Sequence, residues 1–250
     1  MTDCTPETLA FSSLGPKHVL ADFQGGRLTT DAGALLLREL ERPLGLFQAL
    51  NDCLPDPRQP ELIRHDQKDL LAQRITAIAL GYEDLNDHQT LREDPMLQLA
   101  VGHDPTPEQP LASAPTLCRL ENRVQRKDLV QMATVLVDQF IAAHPKPPEA
   151  LILDFDATDD PVHGHQENRF FHGYYDHHCF LPLYVFWGHE LLVAYLRPSN
   201  IDASRHARAI LKLLVRRLGA TWPHVKITLH ADRGFCRWRL MRWCDRNGIG

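Results

Sequence analysis

Residues 150–161, ALILDFDATDDP, open the second half of the chain with an apolar run of strand length. The run covers Ala150 to Asp156, ends on acids, and gives way to a polar turn at Asp159, Asp160 and Pro161. A short apolar run bounded by turn residues reads as a buried strand.

Working outward from it, Phe180 to Trp187 and Leu191 to Leu196 are two further strands, joined through Gly188, His189 and Glu190 in a hairpin. An amphipathic helix follows over Ala203 to Leu218, with Ala207, Ile210, Leu211, Leu214 and Leu218 inward and Arg205, Arg208, Lys212 and Arg216 outward. Val225 to His230 is a fourth strand and Phe235 to Arg246 a second helix. Hairpin-joined strands form an antiparallel meander, whereas a strand reached through a helix returns parallel in a right-handed crossover. With the fourth strand beside the first, Asp154 or Asp156 comes close to Asp232.

Upstream, residues 1–148 read as helices separated by proline-marked connections at Pro55, Pro57 and Pro60 and at Pro105, Pro107, Pro110 and Pro115. Thr30 or Asp31 is placed to cap a helix through Leu40, ended by Pro43. A longer helix is expected over about Glu61 to Leu80, with Leu71, Ile75 and Ile78 on one face. Ser113 suits an N-cap for a helix beginning near Pro115. Asp128 to Ala143 repeats the pattern, with Leu129, Met132, Ala133, Leu136 and Phe140 in one stripe, before Pro145, Pro147 and Pro148 close the helical part. The expected fold class is therefore α+β or α/β: a helical region over 1–148, then a mixed sheet with flanking helices over 149–250.

The chain has 250 residues, 27 Lys and Arg against 32 Asp and Glu, a formal charge of -5 and 44% hydrophobic residues. These values describe a globular protein and exclude a disordered or fibrous one. The average conceals an uneven distribution: residues 205–246 hold eleven Lys and Arg and only two acids, leaving sixteen basic and thirty acidic residues elsewhere. No signal-peptide pattern opens the chain, and the apolar stretch Phe180 to Leu196 is broken by Pro182, His189 and Glu190, so no membrane span is expected. Six cysteines without a CxxC pair point to reduced thiols in a cytoplasmic protein.

Two carboxylates held close together repel unless a divalent cation sits between them. Mg²⁺ prefers oxygen ligands, and a pair of such ions can serve both the attacking and the leaving oxygen of a phosphodiester. The arginines and lysines around Asp232, namely Arg205, Arg208, Lys212, Arg216, Arg217, Arg233, Arg237, Arg239, Arg242 and Arg246, suit contacts to DNA phosphates. The first helix alone reads more readily as a solvated face, whereas the whole run, with only two acids over residues 205–246, points to a polyanion partner. His163, His165, His172, His177, His178 and His189, with Asp159, Asp160, Glu167 and Asp176 nearby, form a competing zinc or iron ligand set, though without a recognised ligand spacing. Trp238 and Trp243 could stack on bases; core packing is the expectation for Trp238.

Six blocks then carry a resemblance: FQGGRLTTDAGALLLREL (23–40), GYEDLNDHQTLREDP (81–95), LASAPTLCRLEN (111–122), LDFDATDDPVHGHQE (153–167), LRPSN (196–200) and HADRGF (230–235). In this order they resemble bacterial insertion-sequence transposases with the group-1 DDE domain, over nearly the whole chain. The resemblance implies an RNase H-like domain that cuts and rejoins double-stranded DNA at terminal inverted repeats and in target DNA. It further implies Mg²⁺ or Mn²⁺ as cofactor, a homo-oligomer when active and a nucleoid-associated location. By carry-over, Asp156 and Asp232 are the first two catalytic, metal-binding acids, with Asp154 as fallback for the first. The family's third acid, a Glu on a late helix, has no counterpart here: after Asp232 only Asp245 follows. The expectation is a truncated transposase, lacking the sheet's fifth strand and weak or inactive in strand cleavage.

Two alternatives stand beside it. The helix after Ser113, carrying Arg119, Arg123 and Arg126, could enter a DNA groove in a non-catalytic DNA-binding remnant. Asp154, Asp156 and Thr158 also spell the DxDxT of haloacid-dehalogenase-like phosphatases, with Asp154 as nucleophile and Asp156 as general acid. The meander and the lack of a downstream GDxxxD segment count against the phosphatase.

Overall fold

The computed structural model describes residues 9–14, 16–21, 29–106 and 108–250. The chain forms two compact units, Met1–Val124 and Gln125–Gly250. Part of the 23–40 block lies outside the described residues.

The first unit opens with an antiparallel hairpin of β1 (Leu9–Leu14) and β2 (Lys17–Ala21), which the helical reading of this region had not included. Six helices follow: α1 (Ala34–Leu44), α2 (Leu46–Asp52), α3 (Gln67–Ala79), α4 (His88–Leu91), α5 (Pro95–Val101) and α6 (Ala114–Arg123). Pro43 does not end α1. It occupies the last turn, and the helix stops at Gly45, whose left-handed backbone (φ 59°) lets its N–H reach the Glu41 carbonyl. The long helix expected from Glu61 is split into a 3-10 turn, Pro60–Leu62, and α3, which starts only at Gln67. Leu71 is buried as expected, but Ile78 is exposed, and Leu70 and Ala77 complete the buried face. Ser113 holds the N-cap position of α6, but its hydroxyl pairs with Thr116 Oγ1 (3.2 Å) rather than capping an amide.

The quoted sequence blocks meet inside this unit. Tyr82 Oη donates to Asp31 Oδ2 (2.9 Å). The buried Gln73 side chain donates to the Ala112 carbonyl (2.9 Å), accepts from the Ala112 N–H (3.0 Å) and contacts His88 Nδ1 at 3.0 Å. One amide thus satisfies both backbone groups of Ala112, as a neighbouring strand would.

The second unit begins with α7 (Arg126–Ala143), closed at its start by a reciprocal cap between Gln125 and Asp128. The proline cluster at 145–148 had suggested that this helix belongs with the preceding ones. Its buried Val137 and Phe140 instead join the core of the second unit, Phe140 meeting Trp187 and Trp222 edge-on at 5.5 and 5.8 Å. Leu129, expected in the stripe, is exposed.

After α7 come β3 (Ala150–Ala157), β4 (Asp160–Pro161), β5 (Phe170–His172), β6 (His177–Phe180), β7 (Leu183–Trp187), β8 (Glu190–Tyr195), α8 (Ala207–Thr221), β9 (Lys226–Ala231) and α9 (Trp238–Asn247). The main sheet has the order β8-β7-β3-β9, antiparallel except for the parallel β3–β9 pair. This is the expected meander with a parallel return, an α+β arrangement of the RNase H-like kind. β4, β6 and β5 form a separate three-stranded sheet from the histidine-rich segment. Past α9 the chain reaches the outer edge of β9. There the Gly250 N–H donates to the Ile227 carbonyl (3.1 Å) and its carbonyl accepts from the Leu229 N–H (2.9 Å), the bonding of a parallel neighbour.

The core lies on one face of the main sheet. Leu151, Leu153 and Phe155 of β3 and Leu183 and Val185 of β7 pack with Ala207, Leu211, Leu214 and Leu218 of α8 and with Leu240 and Cys244 of α9. The strand period of two sends Ile152, Asp154 and Asp156 to the opposite, exposed face. α8 begins at Ala207, later than expected, because His206 takes a left-handed backbone (φ 70°) after the loop from β8.

Candidate functional site

The β3–β9 register pairs Asp154 with His230 and Phe155 with Ala231. One residue further along both chains stand Asp156 and Asp232, level with each other at the carboxyl ends of adjacent strands. Neighbouring strands lie about 4.8 Å apart, and level residues point to the same face. Both acids are exposed, and the Asp156 side chain has no hydrogen bond or ion pair among the described residues. On β7, Tyr184 stands opposite Asp156 and Phe186 opposite Asp154.

Asp232 opens a tight turn. Its Oδ1 accepts from the Gly234 N–H (2.8 Å), capping the 3-10 turn Arg233–Phe235. A Cβ at Gly234 would stand 2.9 Å from that same oxygen, so a larger residue there would displace the Asp232 carboxylate from its present position. Asp154 differs: its Oδ1 meets His230 Nδ1 at 2.8 Å, and it stands two residues, about 6.6 Å, behind the Asp156 level.

The small sheet leans on the end of β3. Tyr175 Oη donates to the Ala157 carbonyl (3.3 Å). Burial, then the charges of Asp159 and Asp156, push the Tyr175 phenol above its ordinary pKa. His177 Nε2 pairs with Asp159 Oδ2 at 2.7 Å. Among the described residues no three His, Cys, Asp or Glu side chains converge to hold a metal ion. Nor is Asp245, exposed on α9, brought to the acid pair. The antiparallel β3–β7–β8 arrangement also lacks the strand–helix alternation that the phosphatase reading needs.

The basic residues divide by position. β8, β3 and β9 run in the same direction, so the loop into α8 and the start of α9 lie at the edge that carries Asp156 and Asp232. Arg205, Arg208, Arg233 and Arg239 are exposed near that edge. Arg237 is there too, but it pairs with Asp202. Lys212 and Arg216 lie farther along the outer side of α8, which covers the opposite face of the sheet, and Arg217 is held by Asp138 (2.7 Å). The basic surplus therefore forms a partial rim rather than a surround.

Trp238 is not a core residue. It is 70% exposed, with the Arg242 guanidinium 5.6 Å from its ring centroid. In the first unit Arg119 is exposed on α6, whereas Arg123 is turned inward to Asp56 (3.3 Å) and Gln67. Arg126 lies outside α6, at the start of α7.

Sequence reasoning missed Tyr175, the His230–Asp154 pair and Arg197. Only the LRPSN block pointed toward Arg197, and it gave no hint of burial. The described cysteines are free, and among the described residues no helix is long and apolar enough to cross a membrane.

A family model described as transposase DDE domain group 1 matches residues 11–250. No match was found among curated proteins or among solved structures.

Proposed function

The chain belongs to the transposase DDE domain group 1 family, and from that premise we propose that it cleaves and transfers DNA strands at terminal inverted repeats, with Asp156 and Asp232 as metal-ligating acids. The observation that carries this reading is their level placement at the ends of two parallel strands, on the exposed face of β3.

The donor chemistry fits a hard divalent cation: two carboxylates, neither ion-paired among the described residues, at a solvent-facing edge. Mg²⁺ or Mn²⁺ held there supplies Lewis acidity to the attacking and leaving oxygens of a phosphodiester. The protein's own part is to orient and to bind. The Gly234 amide fixes the Asp232 carboxylate, and Arg205, Arg208, Arg233 and Arg239 at the rim engage phosphates, which positions the duplex without reading its sequence. Double-stranded DNA, and a second copy of the chain when active, are the partners in this reading.

Metal binding is the direct test. Mn²⁺ titrated into the full chain and followed by electron paramagnetic resonance is expected to bind. Asp156→Asn and Asp232→Asn are each expected to weaken binding by more than about a hundredfold, beyond what outer-shell changes cost. Unchanged Mn²⁺ affinity in both variants would overturn the assignment.

A further inference from the structure

Arg197, in the LRPSN block, takes no part in the chemistry above, yet it is the largest fully buried side chain of the described residues, at 1% exposure. Among the described residues no carboxylate pairs with it. Its Nε donates to the Leu181 carbonyl (2.8 Å), and its Nη1 donates to the carbonyls of Ala203 (3.0 Å) and Arg205 (2.6 Å). Burial lowers its pKa to about 10, so it remains charged at neutral pH. A buried charge solvated only by carbonyls is costly, and here it orders the irregular loop between β8 and α8.

That loop abuts the turn after β9. Ala203 Cβ lies 3.5 Å from the Cβ position at Gly234, the residue whose N–H holds the Asp232 carboxylate. Asp202, one residue earlier, is gripped by the Ser204 N–H (2.9 Å) and hydroxyl (2.6 Å) and pairs with Arg237, just past the same turn.

We propose that Arg197 is a positioning residue for Asp232: its planar fork fixes the 202–205 backbone, and that backbone is the wall against which the Asp232 turn is set. The proposal rests on the reading of Asp232 as a metal-ligating acid. Lysine keeps the charge but cannot reach the Leu181, Ala203 and Arg205 carbonyls in one plane.

The test uses Arg197→Lys in the full chain, with two readouts: hydrogen exchange at the Gly234 amide and Mn²⁺ affinity. Exchange is expected to speed up and Mn²⁺ to bind about tenfold more weakly, as for other residues that orient a ligand. The melting temperature is expected to fall, because the buried Leu181, Ala203 and Arg205 carbonyls lose donors, and exchange at the Gly234 amide is expected to speed up by more than exchange of the β3–β9 ladder amides. Wild-type values of both readouts in Arg197→Lys would overturn the proposal. If Arg197→Lys does not fold, the exposed change Asp202→Asn cuts the link to Arg237 and is judged by the same two readouts. A wild-type chain that binds no Mn²⁺ would instead refute the metal reading of Asp232, and Gly234 exchange would still decide whether Arg197 sets the turn.

Discussion

His230 and Asp154 face each other across β9 and β3, Nδ1 to Oδ1 at 2.8 Å, two residues behind the level shared by Asp156 and Asp232. That pairing occupies Asp154 and sets it behind the acid pair. Asp154→Asn is therefore expected to change Mn²⁺ affinity by about tenfold or less, the lower end of outer-shell effects. A loss as large as that of Asp156→Asn would transfer the first-acid role to Asp154.

Adjacent residues of β3 lie on opposite faces, which gives an internal control on the fold. Leu153→Ala removes a fully buried side chain and is expected to cost about 2–5 kcal/mol of unfolding free energy. Ile152→Ala, on the open face at 56% exposure, is expected to cost about 0.5 kcal/mol. Urea titration of the two variants checks this, and equal losses would mean that the open face is covered.

In the first unit, Gln73→Leu leaves both backbone groups of Ala112 buried and unpaired. At about 1–3 kcal/mol for each unsatisfied group, the loss is expected at roughly 2–6 kcal/mol. Thermal melting measures it, and faster exchange of the Ala112 amide would localise it.

The exposed Trp238 with Arg242 above it supplies a stacking surface beside a cation at the start of α9. Trp238→Ala is expected to leave the melting temperature unchanged and to weaken single-stranded DNA binding by about 1–3 kcal/mol. Arg242→Ala is expected to lower the salt slope of DNA binding by about 1. Lys212→Ala, behind the sheet, is expected to leave that slope unchanged. Fluorescence anisotropy across a salt series distinguishes the three.

Asp56 carries the acid sensitivity of the first unit. Arg58, through Nε (2.8 Å) and Nη2 (2.7 Å), holds its carboxyl at about 2, below the ordinary 3.8. The folded state therefore binds this proton less readily than the unfolded one. The stabilisation is complete above pH 3.8 and is lost as pH falls toward about 2. Asp56→Asn is expected to be less stable than wild type at neutral pH and to show a shallower decline between pH 4 and 2 in a denaturation series, a window taken from those pKa values.

Sequence pattern alone was enough to read the main-sheet strands of the second unit, the two helices after them, their order and the acids at two strand ends, but not the small sheet of β4, β5 and β6. Strand alternation, helix amphipathicity and turn residues act over a few neighbours, so ALILDFD and the stripe from Ala207 to Leu218 are legible from local chemistry. Tertiary structure decided the rest. Which aspartate stands level with Asp232 depends on the β3–β9 register, as does the contact of Asp154 with His230, 76 residues away. α7 joined the second unit because Phe140 found Trp187 and Trp222, a matter of packing partners that proline punctuation does not report. Trp238 faces solvent and Arg197 lies buried for the same reason: a side chain's composition states what burial would cost, and only the assembled sheet, loop and helices state which groups are there to meet it.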